Sequence, residues 1–441
     1  MNEHRPAVTI RQLLAFFLPL GFSACLVTVT FLIINSTFAR SANSEALIGT
    51  FALAMSLHAI MERPAGILRQ ASSALVRDRT SWMSMRAFFF WLLAALIAIS
   101  SVLAYTPAGV WVMRNVFGAR ELSEDVIHVY RYLQLVMVCS MIRGLYHGVI
   151  IVQLRTKWLT IGMVLRLAVM YGLSVFFTKT GLVHGAEVGG IMLLGGFMIE
   201  SGLAVWEGRK LLRTFPDKEP GHRIERKGQV FRFYKPLLYS STLIVAVGPA
   251  INAMLGYSAN MGLAIASFAV GLNVASLCIS FFTYMHQIAL QFYEQDRRKV
   301  LMFNSVASIF PALFLGLVGF TPFGSWMLTG LMGVDDSLKE ATLPILQVFM
   351  LYVLLFPWVD FCNGLVLLSG KTNILVKTQL VSLAFTFTVM IVCLVFEPGW
   401  NGVIGSLAMT AGIIGEISCL LLLLRRLTIK HPLGKRESLT A

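Results

Sequence analysis

The sequence predicts an all-α membrane protein: about twelve transmembrane helices arranged as two pseudo-symmetric six-helix bundles. Three observations carry this reading. The chain is 57% hydrophobic with a mean hydropathy of +0.75, and its apolar residues gather in separate runs long enough to span a bilayer. The loops between those runs alternate in charge. Finally, motifs of the first half recur in the second at a near-constant spacing.

The spans fall in order at Leu13–Ile34, Ala46–Val76, Trp82–Tyr105, Val126–Gln153, Trp158–Phe177 and Val188–Leu212. The second six are Val230–Leu255, Met261–Phe292, Leu301–Leu331, Ala341–Leu368, Ile374–Phe396 and Gly402–Leu424. Several exceed the ~20 residues a bilayer needs, so tilt or kinks are expected. The first run is itself long enough to span and lacks a small-residue cleavage site, which argues against a cleaved signal peptide. Six cysteines all lie in apolar runs without metal or CxxC spacing and read as small buried hydrophobes.

The formal charge of +14 belongs to the loops. Arg77/Arg79, Arg155/Lys157, Arg209/Lys210/Arg213, Arg223/Arg226/Lys227, Arg297/Arg298/Lys299 and Arg425/Arg426/Lys430 fall on one side. Glu45, the near-balanced Arg114–Asp125 loop, Asp335/Asp336 and Glu397 fall on the other. Under the positive-inside rule both termini are cytoplasmic. Nucleic acid is not needed to explain the charge, and no nucleic-acid module is present.

The halves repeat. Pro19 matches Pro236 and Asn35 matches Asn252, each 217 apart (236−19, 252−35). Phe51-Ala-Leu-Ala-Met-Ser matches Phe268-Ala-Val-Gly-Leu-Asn at the same offset, and Gly148 matches Gly364 at 216. Six spans per half is an even number, so the halves share one orientation about an axis along the membrane normal. The expected organisation is an N-terminal lobe 1–213, a solvated linker 214–226 with Pro216, Pro220 and Gly221, and a C-terminal lobe 227–441 with a short basic tail.

The charges inside the spans carry the function. The stretch 51–81 holds His58, Glu62, Arg63 and Arg69 around Pro64. A charge in the hydrocarbon core costs at least ~2.5–3.5 kcal/mol, so such groups mark a cavity or a partner. Counted from the basic anchor of its own helix, Arg69 is eight residues in (77−69), His147 eight (155−147), Arg166 nine (166−157) and Glu200 nine (209−200). At ~1.5 Å per residue all four sit ~12–14 Å inside one interface. Arg143 is one turn deeper than His147 on the same face. In the second half Arg69 aligns with Gln287, Arg143 with Val359, His147 with Asn363 and Arg166 with Ser382, while Glu200 keeps a counterpart in Glu416.

Two readings of this set stand side by side. The arginines neutralise Glu62 and Glu200 in helix-packing salt bridges, or their surplus over the acids serves an anionic guest, which guanidinium forks bind bidentately. On the second reading Arg69, Arg143, His147 and Arg166 bind the guest, and Glu62, Glu200 and Glu416 act as charge partners. Asn252, Asn273, His286, Gln287 and Asn363 then offer neutral donors from the other lobe. No Walker loop, HExxH, GxSxG or CxxC pattern appears, so neither enzymatic activity nor a cofactor or metal is expected.

Phe17-Leu-Pro-Leu-Gly21, Phe51-Ala-Leu-Ala-Met-Ser-Leu57, the stop Arg77-Asp-Arg-Thr80 and Val183-His-Gly-Ala186 resemble the progressive ankylosis (ANK) membrane protein family. That family is similar in turn to the multidrug and toxic compound extrusion (MATE) transporters and the lipid-linked oligosaccharide flippases of the MOP superfamily. The resemblance implies two six-helix bundles working by alternating access, a basic residue at Arg69, and export of small polyanions such as citrate, pyrophosphate or nucleotides. The short C-terminal tail fits a bacterial inner-membrane protein. The expected partners are a small anion, membrane lipid and a coupling ion (H+ or Na+), with the chain working as a monomer. A cation-coupled multidrug exporter and a flippase of an anionic lipid-linked precursor are the alternatives.

Overall fold

The computed structural model describes residues 8–38, 40–41, 44–115, 123–220, 222, 224–331 and 336–430. Gly221 and Arg223 of the expected linker, Asp335 and the tail beyond Lys430 lie outside them. The all-α expectation holds: among the described residues there is no strand. The helices of the first half are α1 (Ile10–Phe38), α2 (Ser44–Leu75), α3 (Arg79–Tyr105), α4 (Pro107–Asn115), α5 (Ser123–Val152), α6 (Lys157–Thr180) and α7 (Glu187–Leu212). The second half has α8 (Lys227–Leu255), α9 (Met261–Ser280), α10 (Met285–Phe292), α11 (Arg297–Phe320), α12 (Pro322–Trp326), α13 (Asp336–Leu368), α14 (Asn373–Phe396) and α15 (Gly402–Lys430). Ten of these helical runs, counting α9–α10 as one, are long and apolar enough to cross a membrane, and the chain is an integral membrane protein.

Two spans differ from the sequence reading. The run expected as Leu301–Leu331 stops at Phe320, because Pro322 has no N–H to continue the ladder and instead opens α12. The run expected as Met261–Phe292 unwinds over Phe281–Tyr284 between α9 and α10.

The chain forms two compact units, Phe22–Tyr234 and Met1–Gly21 with Lys235–Ala441. Each is built around one central helix. In the first, α5 packs against α2, α3 and α7, and α6 lies on α7. In the second, α13 packs against α9–α10, α11 and α15, and α14 lies on α15. The two cores use equivalent positions: Ile34, Phe38, Phe51 and Leu57 in one, Ile251, Leu255, Phe268 and Val274 in the other, each pair 217 apart (251−34, 255−38, 268−51, 274−57). Along the central helices Val129, Tyr130 and Leu133 answer to Ile345, Leu346 and Phe349 at 216 (345−129, 346−130, 349−133).

The punctuation repeats as well. Asp78 caps α3 by accepting from the Ser81 N–H at 2.7 Å, and Asp296 caps α11 by accepting from the Lys299 N–H at 3.1 Å. Thr106 ends α3 and Thr321 ends α11 in the same extended conformation. After the central helices, Leu154 (φ 56) and Gly370 (φ 70) both take the left-handed turn.

The Arg77–Thr80 stop is a clamp. Asp78 also accepts from the Glu219 N–H (2.9 Å), the Arg79 N–H donates to the Pro216 carbonyl (3.0 Å), and the Thr80 hydroxyl donates to the Asp217 carbonyl (3.0 Å). The Arg79 guanidinium meets the Asp217 carboxylate at 2.9 Å. Phe215 and Ile224 are buried. Within 214–226, expected as a solvated linker, the described residues as far as Ile224 are therefore docked: two well-spaced apolar residues and a backbone-binding carboxylate outweigh the polar composition. Asp78 itself is held below its ordinary carboxyl value, since burial works against the charge but the Glu219 and Ser81 N–H groups and the Ser81 hydroxyl prevail.

Candidate functional site

Four helices of the first unit bring their charges to one place. His58 and Glu62 share a face of α2, one turn apart, with His58 Nε2 at 3.3 Å from Glu62 Oε2. From α5 the Ser140 hydroxyl donates to Glu62 Oε1 (2.6 Å). Arg143, one turn on, donates Nη1 to both Glu200 oxygens (3.0 and 2.9 Å) and Nη2 to Ser140 Oγ (3.3 Å), and its Nη2 lies 3.9 Å from Glu62. From α6 Arg166 donates Nη1 to Glu200 Oε2 at 3.4 Å.

Both guanidiniums lie over the Phe197 ring of α7, Arg143 at 4.6 Å and Arg166 at 3.9 Å from its centroid. Contacts of this kind contribute ~0.5–2 kcal/mol each, more as the site is drier. Glycines make the room. A Cβ at Gly196 would sit 2.9 Å from Arg166 Cγ, and one at Gly162 3.3 Å from Glu200 Cγ.

Arg166 and Glu200 are buried at 3% and 2% exposure. Burial of that depth is tolerable only for a connected set of ions, since removing one member leaves its partner bare in a low dielectric. His147 is buried within electrostatic reach of Glu200, Arg143 and Arg69. Arg63, next to Pro64, is exposed. Within the bonded cluster Arg143 and Arg166 stand against Glu62 and Glu200, and Arg69 lies within electrostatic reach of His147 beside it.

The second unit handles its equivalents differently. Glu416 accepts hydrogen bonds from the amide of Gln379 and from Ser382, the residue in the place of Arg166. Asp360 accepts from the His286 N–H (2.9 Å) and contacts His286 Nδ1 at 3.0 Å. The break at Phe281–Tyr284 explains that bond. The N–H groups of Met285 and Gln287 reach back to the Phe282 and Tyr284 carbonyls (3.2 and 3.0 Å), and Asp360 takes the one between them, from His286. Gln287 is buried, Asn363 is half-buried, and Asn252 and Asn273 are exposed.

The expected residues therefore divide. Glu62, Arg143, Arg166 and Glu200 form one bonded cluster, with His147 and Arg69 beside it. His286 belongs to a pair with Asp360, and Glu416 to a neutral hydrogen-bonding set. Ser140, Phe197 and Asp360 were not anticipated. The first two lie three residues before Arg143 and Glu200 on the same helix faces (143−140, 200−197). Asp360 is a lone acid in an apolar run after Pro357, a signal the sequence does carry. Among the described residues no three His, Cys, Asp or Glu side chains gather as a metal site.

No family model and no curated protein sequence matches the chain. Solved structures do match in fold. The Vibrio cholerae MATE transporter VcmN in the bent form gives a TM-score of 0.75 at 14% identity, covering 96% of this chain and 98% of that one. A MATE transporter in complex with MaL6 gives 0.73 at 15% identity over 95% and 96%. A MOP superfamily transporter from Pyrococcus furiosus, described as having a binding pocket of reversed polarity that suggests a different function, gives 0.71 at 14% identity over 97% and 100%. The fold is that of the MATE transporters.

Proposed function

We propose that the chain is a membrane transporter that moves small anions outward by alternating access, with the first-unit cluster as the anion site. One observation carries the reading: Arg143 and Arg166 converge on a single carboxylate, Glu200, over one aromatic face. Guanidinium pairs at this density match the oxygens of a carboxylate or phosphate. The resemblance of its short motifs to the progressive ankylosis family supports a polyanion such as citrate or pyrophosphate. The Pyrococcus furiosus structure, described as having reversed pocket polarity, supports the idea that this fold accommodates more than one kind of cargo charge.

A multidrug exporter is the second reading. It is favoured by the MATE neighbours and by the second-unit carboxylates Asp360 and Glu416, which would suit a cation or a coupling ion. Titrating purified protein with citrate, pyrophosphate, a nucleotide and a cationic drug separates the two. Binding of an anion that weakens in Arg166→Gln supports the first. Binding of the cation alone overturns it.

A further inference from the structure

An anion that enters the cluster meets three terminal guanidinium nitrogens already in use. Arg143 gives Nη1 to both oxygens of Glu200 and Nη2 to Ser140, and Arg166 gives Nη1 to the same carboxylate. The Nε of each guanidinium is buried and bonds neither carboxylate, so an anion gains a two-pronged hold only by also taking the engaged terminal nitrogens, which displaces Glu200, or Glu62 3.9 Å from Arg143. Glu200 is buried at 2% exposure, so a displaced carboxylate finds no water in place of its cation. Leaving a buried ion unpaired is costly, and neutralisation is the cheaper outcome.

We propose that anion binding at this cluster is linked to uptake of one proton by the displaced glutamate, so that the site takes an anion and a proton together. This rests on the anion reading above and adds its coupling ion. The proton comes from bulk water and ends on a carboxylate oxygen of Glu200 or Glu62; no other bond is made or broken. The charged and titratable groups around the two carboxylates are His58 and Glu62 from α2, Arg143 and His147 from α5, Arg166 from α6 and Glu200 from α7, with Arg69 reaching His147. The second unit shows the contrast. Glu416 is held by an amide and a hydroxyl, which leave no guanidinium for an anion to compete over.

The test uses the full chain in lipid nanodiscs and ethane-1,2-disulfonate, a dianion whose own charge does not change near neutrality. Calorimetric titration at pH 7 in two buffers of unlike ionisation enthalpy counts protons taken up per anion. The expected result is uptake of about one proton, with Kd weakening about tenfold per pH unit on raising pH. Glu200→Gln abolishes the proton uptake and flattens that slope, whatever the change in Kd itself, and Glu62→Gln serves where the first variant does not fold. Disulfonate binding that is tight, pH-independent and without proton uptake overturns the coupling and leaves the anion reading standing. Failure of disulfonate, citrate and pyrophosphate to bind at any pH overturns both. Uptake that survives in both glutamine variants but vanishes in His58→Asn or His147→Asn places the proton on a histidine and overturns the glutamate assignment.

Discussion

Arg143→Gln isolates the energetics of the cluster. The side chain holds Glu200 through two bonds at 3.0 and 2.9 Å, reaches Ser140 at 3.3 Å, and lies over Phe197 at 4.6 Å. Glutamine replaces the charge with an amide too short to restore the fork. Breaking a buried pair from one side costs ~3–5 kcal/mol, because the other ion is stranded. Here Arg166 still stands 3.4 Å from Glu200 and keeps part of the compensation, which puts the loss near the lower end, about 3 kcal/mol. For a compact unit of 213 residues (234−22+1) that lowers the unfolding midpoint by roughly 6–12 °C. The double variant Arg143→Gln/Glu200→Gln removes both charges, and at least half of the lost stability returns. The assay is thermal unfolding of the two single variants and the double in the same detergent. An unchanged midpoint in Arg143→Gln, or losses that simply add in the double variant, would refute the claim that these ions form one compensated network.

Three further outcomes follow from other parts of the molecule. Gly196→Ala places a Cβ 2.9 Å from Arg166 Cγ and 2.8 Å from Met170 Cγ; a loss of about 1–3 kcal/mol is expected from overpacking, and thermal unfolding measures it. Leu154→Gly removes a left-handed leucine at φ 56, whose strain is ~1–2 kcal/mol; a net gain of about 0.5–1 kcal/mol remains after the extra freedom of glycine in the unfolded chain, read as a raised midpoint. Asp78→Ala undocks 214–220, at a cost of about 1–2 kcal/mol. Because the Asp78 carboxyl is depressed in the fold, its contribution is whole above the ordinary value of 3.8 and is lost as pH falls through the lower folded value. Proteolysis of the 214–220 segment as a function of pH, in wild type and variant, measures the release.

The sequence alone determined the repeat and the spans apart from those broken at Phe281–Tyr284 and Pro322, and it predicted one level for the buried charges. Each rests on local composition or on counting along one helix. Apolar run length fixes a span, and equal distance from a basic anchor fixes a common level, so Arg69, His147, Arg166 and Glu200 could be placed together before any packing was known. Helix rotation and the choice of neighbour were not determined, because they are set by how one side chain fits another across helices. That is why Ser140, Phe197 and Asp360 went unseen, and why 214–224 read as solvated when Asp78 holds it down. It is also why two opposed readings of the arginines, as salt-bridge partners and as anion ligands, stood open in the sequence. Only the tertiary structure showed Arg143 and Arg166 sharing one glutamate, because the pairing depends on sub-ångström placement of groups 57 and 34 residues apart (200−143, 200−166).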